Sequence, residues 1–214
     1  EFIKEGPAAY ISHLDLLRTI QRAFPRTGMN IKHSQGYHPH PIISIVLPLP
    51  VGQSSDCELL DFETVEETDG AGIAEKLNTG LPAGLRVREC YPVTRPVREF
   101  TFLRARLELL YDNAVPAAPA DALRALFARE TLMIEKRTKH KELAQIDIAP
   151  LIREMTLTEQ DGSILADAVV AAQNPGLNPA YLAQAIEREL PSLKPDFVRV
   201  RRTEIYDTEG NVFR

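Results

Sequence analysis

The sequence predicts an α+β protein of two tandem ferredoxin-like (βαββαβ) halves, each with extra strands or a hairpin. Three observations predict it. Apolar residues recur at helical spacing in a few stretches and alternate at strand spacing in many more. The order strand, helix, strands, helix, strand occurs over residues 1–94 and again over 99–206. Between the two, Thr94 to Arg98 contains Pro96 and reads as a linker. A length of 214 residues suits two small domains. Residues 207–214 are expected to form a loose tail.

In the first half, Phe2 to Lys4 reads as a short strand. Ser12 suits a helix N-cap, with Asp15 at the capping-box position three residues on. The helix is expected from His13 to about Phe24, with Leu16, Leu17, Ile20 and Phe24 as its apolar stripe and Pro25 and Gly28 ending it. Met29 to Ser34 and Ile42 to Leu47 read as strands on either side of a loop from Gly36 to Pro41. Cys57 to Val65 alternates as a half-buried strand. Asp69 is expected to cap a helix through Ile73 and Leu77, and Leu85 to Val93 to form a strand.

The second half restarts with Thr101 to Leu110, where Ala105, Leu107 and Leu109 alternate with Arg104, Arg106 and Glu108. A helix over Pro119 to Arg129 and a strand over Thr131 to Glu135 follow, and Lys136 to Lys141 is expected to be a loop. Asp161-Gly162 between Met155–Thr158 and Ile164–Val170 predicts a hairpin. Asn178-Pro179 starts a helix through Leu190, and Phe197 to Tyr206 is the closing strand.

Composition narrows the function classes. Apolar residues make up 44%, the level of a globular protein. The net charge of −5 does not steer the chain to nucleic acid as a whole, and no DNA partner is expected. Any anion site is a local patch. The two cysteines, Cys57 and Cys90, lie far apart and suggest neither disulfide framework nor zinc ribbon. No run of about 18 apolar residues occurs, so no membrane partner is expected. No signal-peptide pattern is present, and a cytoplasmic location is expected.

Three chemistries meet between Tyr10 and Gly52. Ser12-His13-Leu14-Asp15 opens a helix, Arg18, Arg22 and Arg26 follow at four-residue steps, and Gln35-Gly36-Tyr37-His38-Pro39-His40-Pro41 forms a loop. Lys136-Arg137-Thr138-Lys139-His140-Lys141 is a second basic run, and Arg199, Arg201 and Arg202 a third. If the first two runs converge they form a groove for a phosphate backbone, since cations there release condensed counterions. Exposed, solvated faces are the alternative. Residues 56–69 are instead all acidic in their charges, a surface suited to a basic partner.

Imidazoles titrate near neutrality, so His13 with His38 or His40 could act as acid and base in metal-independent RNA cleavage, with Arg18 or Lys139 on the phosphate. Surface hydrogen bonding is the other reading of each. The same histidines with Asp15 offer metal donors, but HExxH and CxxC spacings are absent, and neither a metal nor a cofactor is expected. Ser12 lacks the GxSxG context of a nucleophile. Tyr37 reads either as a base-stacking residue or as packing for its loop.

These residues carry a resemblance. Tyr10 to Asp15, Arg18 and Arg22, Ser34 to Pro41, Pro48 to Gly52 and Glu58 together resemble the signature of the radical-SAM-linked protein family, a domain of unknown function found alone or fused behind a radical-SAM protein. Lys136-Arg137-Thr138-Lys139 followed by Asp147-Ile148 is similar to that family's basic stretch and later Asp-Ile or Asp-Leu. Pro25 and Ile42 depart from it, standing where a basic residue is expected. The resemblance implies association with a radical-SAM enzyme and, by gene neighbourhood, with ribonuclease E/G and ribosomal proteins. It implies no activity. CxxxCxxC is absent, so the chain carries no radical-SAM cluster of its own. In architecture the chain is also similar to repeat-processing CRISPR RNA endonucleases, a likeness of fold alone.

The expected function is that of an accessory protein that binds RNA, tRNA or rRNA, and presents it to a radical-SAM partner. Its expected contacts are Ser12, Asp15, Arg18, Arg22, Gln35, Gly36, Tyr37, Lys136, Arg137, Lys139 and Lys141. The alternatives are the His13 endonuclease and a protein-interaction scaffold.

Overall fold

A computed structural model describes residues 1–68, 70–112, 119–137 and 143–214. The protein is α+β and divides into two compact units, residues 1–98 with 214, and residues 99–213.

In the first unit, β1 (Phe2–Lys4) lies between β3 (Ser54–Glu58) and β5 (Leu85–Val87), antiparallel to both. A 3-10 turn (Gly6–Tyr10) leads to α1 (His13–Ala23). Leu16 and Ile20 of α1 join Phe2, Phe24, Ile45, Ile73, Leu77 and Leu85 in the core. Each such aliphatic side chain contributes about 2 kcal/mol by leaving water. Ile11, just before the cap, packs on the same core as Leu16, which is the arrangement of a hydrophobic staple. The helix tightens into a 3-10 turn at Phe24–Thr27, and Gly28 ends it in the left-handed region.

Several expected strands of this unit are shorter than their patterns. The segment Met29 to Ser34 makes only isolated bridges, Ile31 with Thr64 and His33 with Pro41. Ile42 to Leu47 reduces to β2 (Ile43–Ile45). The run from Cys57 to Val65 is broken at Leu59, whose side chain is buried, so β3 and β4 (Leu60–Phe62) belong to different sheets, and β4 pairs with β2. Beyond Val87 the chain leaves the sheet. Helix α2 (Ile73–Asn78) starts after Gly72, and Asp69, its expected cap, lies outside the described residues.

The second unit is a four-stranded antiparallel sheet in the order β11-β6-β10-β9. Its strands are β6 (Phe100–Leu110), β9 (Ile152–Gln160), β10 (Ser163–Ala171) and β11 (Phe197–Asp207). Ala105, Leu107 and Leu109 are buried as their alternation predicts. Buried apolar residues of α3 (Pro119–Phe127) and α4 (Ala180–Glu189), among them Leu123, Leu126, Leu182 and Ile186, complete the core. Asp161-Gly162 turns the β9-β10 hairpin, and Asn178 Oδ1 accepts the Ala180 N–H at 3.1 Å at the start of α4.

Two expectations for this unit are corrected. Lys136 and Arg137 do not lie in a loop. They close β7 (Met133–Arg137), which pairs with an unexpected β8 (Leu143–Asp147) as a separate ribbon. Asp147 Oδ1 accepts N–H groups from Leu132 at 2.7 Å and Ala149 at 3.1 Å, and Ile148 is buried, so this Asp-Ile pair anchors the ribbon's base. The tail from Asp207 is not loose either. Asp207 Oδ1 accepts from the N–H groups of Glu209 and Asn211, Val212 bridges to Tyr206, and Phe213 is buried against Phe100.

Candidate functional site

The motif residues of the first unit fall at two places, the start of α1 and the loop from Ser34 to Pro41. At the first, Ser12 caps the helix. Its Oγ accepts the Asp15 N–H at 3.2 Å and donates to Asp15 Oδ2 at 2.8 Å. Arg18 pairs with Asp15 Oδ1 at 3.1 Å. The Ser12 hydrogen bond first, and Arg18 second, hold the Asp15 carboxyl below its ordinary range. Asp15 is therefore an anion committed to its own helix, and it neutralises one of the two arginines expected to meet phosphate.

The second arginine, Arg22, is exposed and makes no hydrogen bond or ion pair among the described residues. Arg26 donates to the Gly80 carbonyl at 3.1 Å, and Lys32 pairs with Glu63 at 3.3 Å. The acidic stretch is likewise part-used: Glu63 holds Lys32, Glu66 accepts from Asn30, and Glu58 is fully buried.

Upstream of the cap, Lys4 is buried and its Nζ donates to the Ala9 carbonyl at 2.9 Å. The same oxygen accepts the Gly52 N–H at 2.9 Å. Pro48 to Gly52 is thereby tied to the turn that delivers Ser12 and His13. Sequence reasoning missed Lys4, because nothing in Phe2-Ile3-Lys4 signals that the ammonium finds a carbonyl partner inside.

At the second place the chain runs out along 30–33 and back along 41–45. The Lys32 N–H donates to the Glu63 carbonyl and the Ile42 N–H to the Lys32 carbonyl, both at 2.8 Å. Ser34 closes the loop neck: its Oγ lies 2.8 Å from His40 Nδ1 and accepts the His40 N–H at 3.2 Å, while its own N–H donates to the His40 carbonyl at 2.9 Å. Gly36 has φ +138, open to glycine and strained for other residues. Gln35, Gly36, Tyr37 and His38 are all exposed, and Tyr37 reaches 101% relative exposure. The packing role open to Tyr37 on sequence grounds is therefore absent, since its ring is covered by nothing.

Among the described residues no hydrogen bond joins His13 to His38 or His40, and the imidazole of His40 is engaged by Ser34. No group of three or more His, Cys, Asp or Glu side chains among them stands together as a metal site.

The second basic run belongs to the other unit. Lys136 Nζ sits 6.0 Å from the centre of the Tyr181 ring. Arg137 pairs through its backbone with Leu143. Lys139 and Lys141, with His140, lie outside the described residues. In the third run Arg199 pairs with Glu108 at 2.9 Å and Arg202 is buried.

A family model described as "Uncharacterized protein conserved in bacteria (DUF2344)" matches residues 1–179. The match takes in both places described above and the β7-β8 ribbon. Its description names no radical-SAM partner and no RNA. A comparison with curated proteins finds no match. No helix among the described residues is long and apolar enough to cross a membrane.

Proposed function

Because the chain belongs to the DUF2344 family, whose description assigns no activity, we propose from the loop's geometry that it is an accessory RNA-binding protein that holds an unpaired nucleotide on Tyr37. The observation that carries this reading is the exposure of Tyr37 at the tip of a loop whose neck is fixed by Ser34 and His40. A ring kept in water on a pinned backbone contributes little to folding. It is ready for a base, and stacking needs no particular sequence because every base has a π-face. Gln35 and His38 flank it as hydrogen-bonding groups for base edges or sugar. Phosphate contact falls to Arg22, since Asp15 engages Arg18. The RNA is of the tRNA or rRNA kind, with an unpaired loop to offer. Presentation to a radical-SAM enzyme rests only on the sequence resemblance, carried by Tyr10 to Asp15, Arg18, Arg22, Ser34 to Pro41, Pro48 to Gly52 and Glu58, and by Lys136 to Lys139 with Asp147-Ile148.

The fold reading behind this is ferredoxin-like for each unit. In the second unit the first strand, β6, lies between the third, β10, and the last, β11, with β9 at the edge, and the β7-β8 ribbon is an insertion. In the first unit β1 lies between β3 and β5 in the corresponding way.

The test is fluorescence anisotropy of labelled tRNA with the full chain in EDTA at low and high salt, with RNA integrity followed in the same tubes. Tyr37→Ala is expected to weaken binding roughly 5- to 150-fold, the range for one stacked base, and Tyr37→Phe to preserve it. Binding is expected to weaken as salt rises, since each phosphate contact by a cation releases condensed counterions. Absence of binding at low salt, or wild-type binding by Tyr37→Ala, overturns the reading. Cleavage in EDTA abolished by His13→Ala would replace it with the endonuclease.

A further inference from the structure

The corner where the Gly6–Tyr10 turn, α1 and the 47–52 loop meet has a feature that RNA binding at Tyr37 leaves unused. Three large apolar side chains stand in water there, Tyr10 at 66%, Leu14 at 60% and Val51 at 59% relative exposure. None belongs to the core of this unit, which α1 enters through Leu16 and Ile20. Leu14 is off that stripe, on the first turn of the helix.

The corner is built. Lys4 Nζ and the Gly52 N–H converge on the Ala9 carbonyl and clasp the turn that carries Tyr10 to the loop that carries Val51, while Leu14 follows four residues after Tyr10 on α1. Gly52 has φ +88, and a Cβ on it would stand 4.0 Å from Tyr10 Cε1, so the loop runs beside the Tyr10 ring. An exposed apolar cluster rimmed by polar residues is the mark of an interaction surface.

The rim states the partner's charge. His13 adjoins Leu14. Arg18 and Arg22 follow Leu14 at successive four-residue steps and lie in line along the helix, all three exposed. Asp15, the one carboxylate of α1, is spent on Ser12 and Arg18. The helix therefore runs from an apolar head to the free guanidinium of Arg22, about 12 Å along its axis.

We propose that this corner docks a short segment of a partner protein bearing a Leu or Phe for the Tyr10–Leu14–Val51 cluster and an Asp or Glu for Arg22. The span corresponds to roughly four residues of extended peptide. Its residues are not those of the Tyr37 loop, and Arg22 is shared by the two readings.

The experiment is selection from a phage-displayed random-peptide library on the full chain, followed by binding of the enriched peptides to variants. Enrichment of Leu or Phe with an acidic residue about four positions away is expected. Val51→Asp and Arg22→Glu are expected to weaken those peptides about tenfold or more, and Tyr37→Ala to leave them unchanged. All three are exposed positions, and a melting curve for each variant verifies folding. No enrichment, or enriched peptides that bind Val51→Asp as they bind wild type, overturns the proposal. So does a wild-type dimer in sedimentation that Val51→Asp dissociates, since the corner would then belong to a second copy. Loss of RNA binding in Tyr37→Ala bears only on the loop.

Discussion

Ser12 and Asp15 close a reciprocal cap, Oγ to Oδ2 at 2.8 Å and the Asp15 N–H to Oγ at 3.2 Å, at the first turn of the helix that carries Leu14, Arg18 and Arg22. Ser12→Ala is expected to cost about 1 kcal/mol, the usual loss for an N-cap, measured by urea melts at neutral pH. The pH dependence has a definite sign. The folded Asp15 carboxyl titrates below its ordinary value of 3.8, so its stabilisation is present above that value and is lost as pH falls through the lower, folded one. The difference between wild type and Ser12→Ala should therefore shrink in acid. A difference that stays constant from pH 6 down through acid unfolding would show that the carboxylate has no part in the cap.

The loop neck makes a separate prediction. At Gly36 the backbone has φ +138, and a Cβ would meet nothing within 4 Å. Gly36→Ala therefore acts through backbone strain alone, of order 1–3 kcal/mol, which an exposed loop relieves by changing shape. RNA binding should weaken several-fold while the melting temperature stays near wild type. Ser34→Ala, which removes the two hydroxyl contacts to His40 and leaves the backbone bond between them, should do the same to a smaller degree. Wild-type affinity in both variants would mean that a fixed loop is not what presents Tyr37.

What was legible in the sequence follows from how regular each element is. Helix α1 could be read because Ser12, Asp15, Leu16 and Ile20 state its cap and its stripe independently, and its bounds match to within a residue. Strand β6 could be read because one of its faces is buried, so Ala105, Leu107 and Leu109 alternate strictly with charges. The stretch 29–34 could not, because its pairing is made of single bridges that no apolar period requires. Nor could β8, which follows a charged run and begins with the exposed Leu143. At the site, the Asp15–Arg18 pair follows from their three-residue spacing, which brings side chains together on one helix face. The exposure of Tyr37 was out of reach, because an aromatic beside glycine and proline looks the same in sequence whether or not something covers it.

Tyr111 links the end of β6 to the turn before β11, its OH donating to the Leu193 carbonyl at 2.9 Å. Burial pushes its phenol up to about 12 from an ordinary 10.0. The raised folded value means that its contribution is complete below pH 10 and is lost as pH rises from there toward 12. Burial raises Tyr91 to about 12 as well, so two phenols share this window. Stability from urea melts should fall in alkali above pH 10, and Tyr111→Phe should flatten the fall in part. An unchanged alkaline slope in that variant would place the effect elsewhere.

The end of the chain should be as costly to disturb as the core. Phe213 is buried, with its ring edge-on to Phe100 at 5.9 Å, and its N–H donates to the Ile205 carbonyl at 2.9 Å. Phe213→Ala is expected to destabilise by about 3–5 kcal/mol, the range for a buried aromatic reduced to methyl. Asp207→Ala leaves the N–H groups of Glu209 and Asn211 without their carboxylate and should cost about 1–3 kcal/mol. Phe213 and Asp207 fix the same short return of chain, so the double variant should cost less than the sum of the two. Denaturant melts of the three variants decide it. Near-wild-type stability in Phe213→Ala would restore the loose tail that the sequence alone suggests.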